Sequence, residues 1–221
     1  MPAYGQTKLQ IVNAVLPRMR EATVATSSST VYASLVSAVL NTVRTQIEQA
    51  WMWKALRDTY TVTVTPGNVS YSLTGSGQFA RIMDVWNTTS DAEVTPGSYH
   101  TFNERFFAND VVSTGNVTEY NQVGLDSNYD IQIDIWPNVL ATNVLKVNLY
   151  LPQPDPAADS TVILVPNQIL IEGMVAYLMA ERGDDNGVAY QQQQQLYQDM
   201  LAGAIAAEAG QDQTEVDWFP V

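Results

Sequence analysis

The hydrophobic period of this chain changes twice, and that change sets the order of its elements. Tyr32, Leu35, Val36, Val39, Leu40, Val43, Ile47, Ala50 and Trp51 recur at spacings of three and four, the pattern of a helix with one apolar face. After Asp58 the period falls to two. Tyr60, Val62 and Val64 share one face, and so do Val69, Tyr71 and Leu73 beyond the turn Pro66-Gly67-Asn68, which predicts a hairpin. Tyr129, Ile131, Ile133 and Ile135 alternate with Asp130, Gln132 and Asp134. After a loop at Pro137 to Asn143 come Leu145, Val147, Leu149 and Leu151, predicting a second hairpin. Phe79 to Trp86 and Val117 to Val123 read as further strands, and Thr101 to Phe107 as a short helix burying Phe102 and Phe106.

The helical period frames this β stretch on both sides. Thr7 is placed to cap a first helix carrying Leu9, Val12 and Leu16, which Pro17 ends or kinks. Ser28, Ser29 or Thr30 caps the second. Its stripe runs on to Lys54, predicting about 26 helical residues and a rod about 40 Å long. Pro152, Pro154 and Pro156 end the sheet. Val165-Pro166-Asn167 opens a third helix with Ile171, Met174, Val175, Leu178 and Met179 on its stripe. Gly183 fits its C-terminal position, and Asp184 or Asp185 the cap of a fourth helix bearing Leu196, Tyr197, Met200, Leu201 and Ile205. The predicted fold is α+β: a helical bundle from residues 1–57 and 152–209, an inserted antiparallel β domain over 58–151, and an extended tail over 210–221.

Composition excludes much chemistry. There is no cysteine and one histidine, His100, so disulfides, thiolate chemistry and any site needing two imidazoles are ruled out. No cofactor and no metal is expected. The net charge of −13 is graded along the chain: +4 up to Arg57, −7 from Asp58 to Tyr150, and −10 beyond. So acidic a surface repels phosphate, which argues against nucleic-acid binding by charge neutralisation. It also allows the basic first segment to face an acidic one, within a copy or between copies. No run reaches the ~20 apolar residues of a membrane span. No secretion leader is visible, so folding in a reducing cytoplasm is expected and the three Asn-x-Ser/Thr sequons read as features of a Thr/Asn-rich β segment.

Short motifs fail on context. Asp126-Ser127-Asn128-Tyr129-Asp130 starts like a calcium loop, but Ile131 stands where glycine is needed and Pro137 where the bidentate glutamate belongs. Gly75-Ser76-Gly77 has no following lysine or long helix to make a phosphate loop. Arg182-Gly183-Asp184 falls at a predicted helix turn, and His100 reads as structural. Gln191 to Gln195 reads as an exposed helix face or a contact with a neighbouring subunit. Two aromatic groups remain. Trp51-Met52-Trp53 closes the long helix, with Trp51 and Trp53 expected to form a structural junction between helix and sheet. Trp218-Phe219-Pro220-Val221 ends an acidic tail with no element left to complete, as an anchor inserting into a partner does.

The helix ending in Trp51-x-Trp53, the strand pair with Tyr71-x-Leu73, Arg81-Ile82-x-Asp84-Val85, the helix entry Leu164-Val165-Pro166 and the C-terminal tail together resemble the head-to-tail adaptors of tailed bacteriophages. These are also called connector, head-completion or tail tubular protein A-like proteins. The resemblance implies a non-enzymatic ring of twelve copies in the virion neck, assembled after synthesis in the host cytoplasm. It implies a portal protein bound through Asp217, Trp218, Phe219, Pro220 and Val221, a tail tube or nozzle protein as second partner, and DNA passing through the lumen without specific binding. A tail-terminator or tail-tube component is the alternative within the virion. A carbohydrate-binding β module stacking sugars on Trp86, Tyr99 and Trp136 is the alternative outside it.

Overall fold

The computed structural model describes residues 5–108, 113–183 and 187–212. The helices, in chain order, are α1 (Lys8–Val15), α2 (Val31–Ala50), α3 (Tyr99–Asn103), α4 (Asn167–Glu181) and α5 (Val188–Asp212). The strands are β1 (Arg57–Val64), β2 (Ser70–Ser72), β3 (Arg81–Asn87), β4 (Ala92–Glu93), β5 (Thr95–Pro96), β6 (Glu119–Leu125), β7 (Ile131–Trp136) and β8 (Asn143–Tyr150). The order is helices, sheets, helices, an α+β fold. It divides into two compact units, one from the segments up to Leu56 and from Gln153 onward, the other from Arg57–Pro152.

In the helical unit, Thr7 caps α1 through a reciprocal box. Its hydroxyl accepts from the Gln10 N–H at 3.3 Å while the Gln10 side chain accepts from the Thr7 N–H at 2.9 Å. Ile11, Val12 and Val15 are buried, and Pro17 turns the chain into a 3-10 turn over Leu16–Met19. Thr30 is the cap of α2, its hydroxyl 3.0 Å from the Ala33 N–H. The hydrophobic heart is α4. Ten of its residues, from Asn167 to Leu178, are buried, and it touches α1, α2 and α5. Gly173 is where the helices come closest. A Cβ there would lie 2.7 Å from Val43 Cγ1 on α2 and 2.8 Å from the Tyr197 ring on α5. Only glycine permits that approach.

The second helix is shorter than its stripe suggests, 20 residues ending at Ala50, with Trp51 in extended backbone at φ −154°. The cause lies two residues further on. Trp53 folds back, 2% exposed, and its indole N–H donates to the Ile47 carbonyl at 2.8 Å. That carbonyl belongs to the last turn and has no partner within the helix. Trp53 therefore satisfies the helix end instead of extending it.

The β unit holds two four-stranded sheets, in the orders β1-β8-β3-β4 and β2-β7-β6-β5. Alternation identifies the buried residues: Val62, Val64, Val85, Leu145, Val147 and Leu149 from the first sheet and Ile131, Ile133 and Ile135 from the second share one apolar core with Leu73 and Val117. Strand partners differ from expectation. β1 pairs with β8, and β2 with β7, so neither expected hairpin forms. The Pro66-Gly67 turn and the Pro137 to Asn143 loop are instead corners carrying the chain from one sheet to the other. Stacked sheets lie roughly 10 Å apart, and five residues between β1 and β2 suffice to cross. Tyr71 fastens the first corner, its hydroxyl accepting from the Thr65 N–H at 2.9 Å. The unit is not wholly antiparallel either, since β5 runs parallel to β6.

Candidate interaction surfaces

Among the described residues no group of three or more His, Asp or Glu side chains is placed to hold a metal ion, and no helix is long and apolar enough to cross a membrane. The two motifs that fail as ion and phosphate loops turn out to be partners of each other. The backbone N–H groups of Gly75 and Gly77 both donate to the Asp130 carboxylate at 2.9 Å, and Ser76 Oγ accepts from the Ile131 N–H at 2.9 Å. Asp126 shapes its own turn by accepting from the Asn128 and Asp130 N–H groups at 2.7 and 3.0 Å. Those backbone bonds hold its carboxyl below the usual carboxylate range. Both acids thus serve the backbone, which is what glycine spacing beside a buried carboxylate offers as an alternative to ligand binding.

The helical unit is stapled by buried charge. Arg44 stands at a stripe position of α2, one turn after Leu40 and one before Glu48, and is 2% exposed. Its guanidinium donates to the carbonyls of Gln153 and Pro154 at 2.6 and 2.8 Å and to Asp155 at 2.6 Å, with Glu48 3.8 Å away. The proline-rich segment is thereby pinned to α2. Burial pushes the Glu48 carboxyl above its ordinary value, and the neighbouring Arg44 charge only partly offsets it. Glu172 on α4 has the opposite balance. Burial raises it, but Arg18 at 2.8 Å, Gln193 at 2.7 Å and Gln168 at 2.7 Å outweigh that and hold it low. Asp159 bonds the Ser27 hydroxyl and its N–H, and is lowered by both. A charged residue inside an apolar stripe was the one signal in the sequence that could have revealed Arg44.

Several expected residues find structural employment. The Arg182 side chain donates to the Met19 carbonyl at 2.9 Å and Glu21 at 3.0 Å, and stacks 4.6 Å over the Tyr32 ring. Arg182-Gly183-Asp184 therefore begins with an engaged guanidinium, Arg182 being the C-cap of α4 and Gly183, at φ 85°, the left-handed residue just past it. His100 is exposed on α3, so it is not the satisfied structural histidine expected. The three sugar-stacking candidates come from different elements, Tyr99 opening α3. Trp86 lies on β3 of the first sheet and Trp136 on β7 of the second. The Trp136 ring is covered by Arg105 at 5.1 Å and met edge-on by Phe106 at 5.8 Å. Arg105 is itself held bidentately by Glu119 at 2.9 and 3.1 Å. Phe102 is buried as expected, with the Phe106 ring 5.7 Å from it.

The surfaces that remain open lie elsewhere. None of the described side chains of α5 is fully buried, and Val188 and Leu196 are 69% and 43% exposed. In the glutamine tract, Gln193 reaches inward to Glu172 while Gln191, Gln192 and Gln195 are exposed. The expected anchor, Asp217, Trp218, Phe219, Pro220 and Val221, lies outside the described residues. Trp53 is buried in the helical unit, while Trp51 is half-buried just past the end of α2.

The buried charges of the helical unit and the Asp130 clasp of the β unit are both spent on holding backbone in place, the work of a structural protein. The chain belongs to the SU10 adaptor protein family, whose model matches residues 6–218. It is a phage adaptor and a structural component of the virion. No curated protein matches it.

Proposed function

We propose that this chain is a head-to-tail adaptor of the tail tubular protein A-like kind, twelve copies of which close into a ring in the virion neck. In this reading residues 1–57 and 152–209 form the ring body, 58–151 faces a tail tube or nozzle protein, and 210–221 reach the portal. Asp217, Trp218, Phe219, Pro220 and Val221 are the portal anchor, and DNA passes through the lumen without specific contacts.

The observation that carries the reading is the family match, which spans both units and runs into the tail at residue 218. The net charge of −13 supports a lumen that does not grip phosphate. The open flank of α5 supports contacts with other proteins. Each tail contact can be weak, because repetition around one portal raises the total affinity. The test is a pull-down with the cognate portal. Deletion of Asp217 to Val221 abolishes capture and leaves the thermal transition unchanged. Equal capture of truncated and full-length chains would refute the anchor.

A further inference from the structure

Tyr129 holds a left-handed backbone at φ 64°, a conformation that suits glycine or asparagine and costs a bulky side chain about 1 kcal/mol. Its ring gains no burial in return, being 67% exposed. The turn beneath it is rigid, closed by the Asp126 N–H on the Asp130 carbonyl at 2.8 Å and by the Asp126 carboxylate. Asp130 then ties this turn to the Gly75–Gly77 loop, which carries Phe79, 68% exposed. Leu125, at the end of β6, is 42% exposed. Two solvent-facing aromatic rings on preorganised loops tied through Asp130, with the Asp126 carboxylate in the same turn as Tyr129, have the make-up of a binding anchor.

The charge gradient indicates the occupant. The acidic β segment needs a basic surface, and the basic stretch of this chain is the one ending at Arg57. Arg18, Arg44 and Arg182 there and in α4's cap are engaged by carboxylates of their own chain. Arg20 is not. It sits exposed at φ 62° on a turn fixed by its N–H to the Pro17 carbonyl at 3.0 Å and the Glu21 N–H to Leu16 at 3.0 Å. Its guanidinium has no partner among the described residues.

We propose that the Tyr129–Phe79 tip of one copy docks on the Arg20 turn of the next, the guanidinium lying over the Tyr129 ring beside Asp126. Such a contact is heterologous, joining unlike patches, the kind that builds a ring where its rotation closes. It rests on the ring reading above.

The absence of cysteine makes the test clean. Arg20→Cys and Tyr129→Cys are made in separate chains, mixed, assembled on the cognate portal and treated with a short bismaleimide. A cross-linked pair of about 49 kDa, twice 24.4 kDa, is expected from the mixture and from neither variant alone. Tyr129→Asn suits the left-handed turn, so it keeps or raises thermal stability while weakening assembly about tenfold. A portal-bound ring of full mass that gives no cross-link, or that forms equally well with Tyr129→Asn, overturns the contact and leaves the ring reading standing. If the native chain adds no ring to the portal, the ring reading falls and the contact with it.

Discussion

The guanidinium of Arg44 meets the carboxylate of Asp155, 111 residues later in the chain, at 2.6 Å. The same side chain neutralises Glu48 and takes two carbonyls of the proline-rich segment, so one residue fixes where the chain re-enters the helical unit. Replacing it with methionine takes the neighbouring cation from the buried Glu48 carboxyl and should cost about 3 kcal/mol. Urea unfolding checks this. Adding Glu48→Gln to Arg44→Met should recover part of the loss, a coupling that independent sites would not show.

Gly173→Ala should destabilise the helical unit by about 1–3 kcal/mol, because its Cβ has Val43 Cγ1 at 2.7 Å and the Tyr197 ring at 2.8 Å. Combining it with Val43→Ala relieves one of the two clashes. The double variant should therefore melt higher than the sum of the single losses predicts.

Acid should loosen the helical unit through Glu172 and Asp159, whose carboxyls are held low in the fold. The unfolded chain binds the extra protons, so their contribution is complete above the unfolded values of 4.5 and 3.8 and is lost as pH falls through the folded ones. Glu48 acts the other way, since its raised carboxyl makes ionisation costly as pH rises past 4.5. Glu172→Gln should lower stability near neutrality and flatten its dependence on acid, measured by urea midpoints between about pH 3 and 7.

Asp130→Ala should cost about 1–3 kcal/mol by leaving the Gly75 and Gly77 N–H groups without their acceptor. Neither calcium nor a chelator should shift the native protein's melting temperature, because the carboxylate is already engaged. A calcium-dependent rise would contradict the assignment.

Much of this fold was legible in the residues because burial has a period. The alternation of Val62 and Val64, or of Ile131, Ile133 and Ile135, identified faces that are indeed buried. Period alone does not say which strand lies alongside, so the two consecutive pairs β1/β2 and β7/β8 have the pattern of hairpins where the chain crosses between sheets. The end of α2 was misplaced for a different reason. The apolar stripe runs on through Trp51 to Lys54, yet the helix ends at Ala50 because the Trp53 indole takes the last-turn carbonyl of Ile47. The stripe position marks Arg44 as unusual, but its partners, like those of Glu172 and Gly173, lie far along the chain and are not legible in sequence. The Asp130 clasp was hidden because each half, read separately, resembled an incomplete ligand loop.

In the proposed function the chain is completed by other copies and by a portal. Native mass measurement of the cognate portal, before and after mixing with excess protein, tests it most directly. Closed twelvefold assembly adds about 290 kDa, from twelve chains of 24.4 kDa. An unchanged portal mass at saturating protein would contradict it.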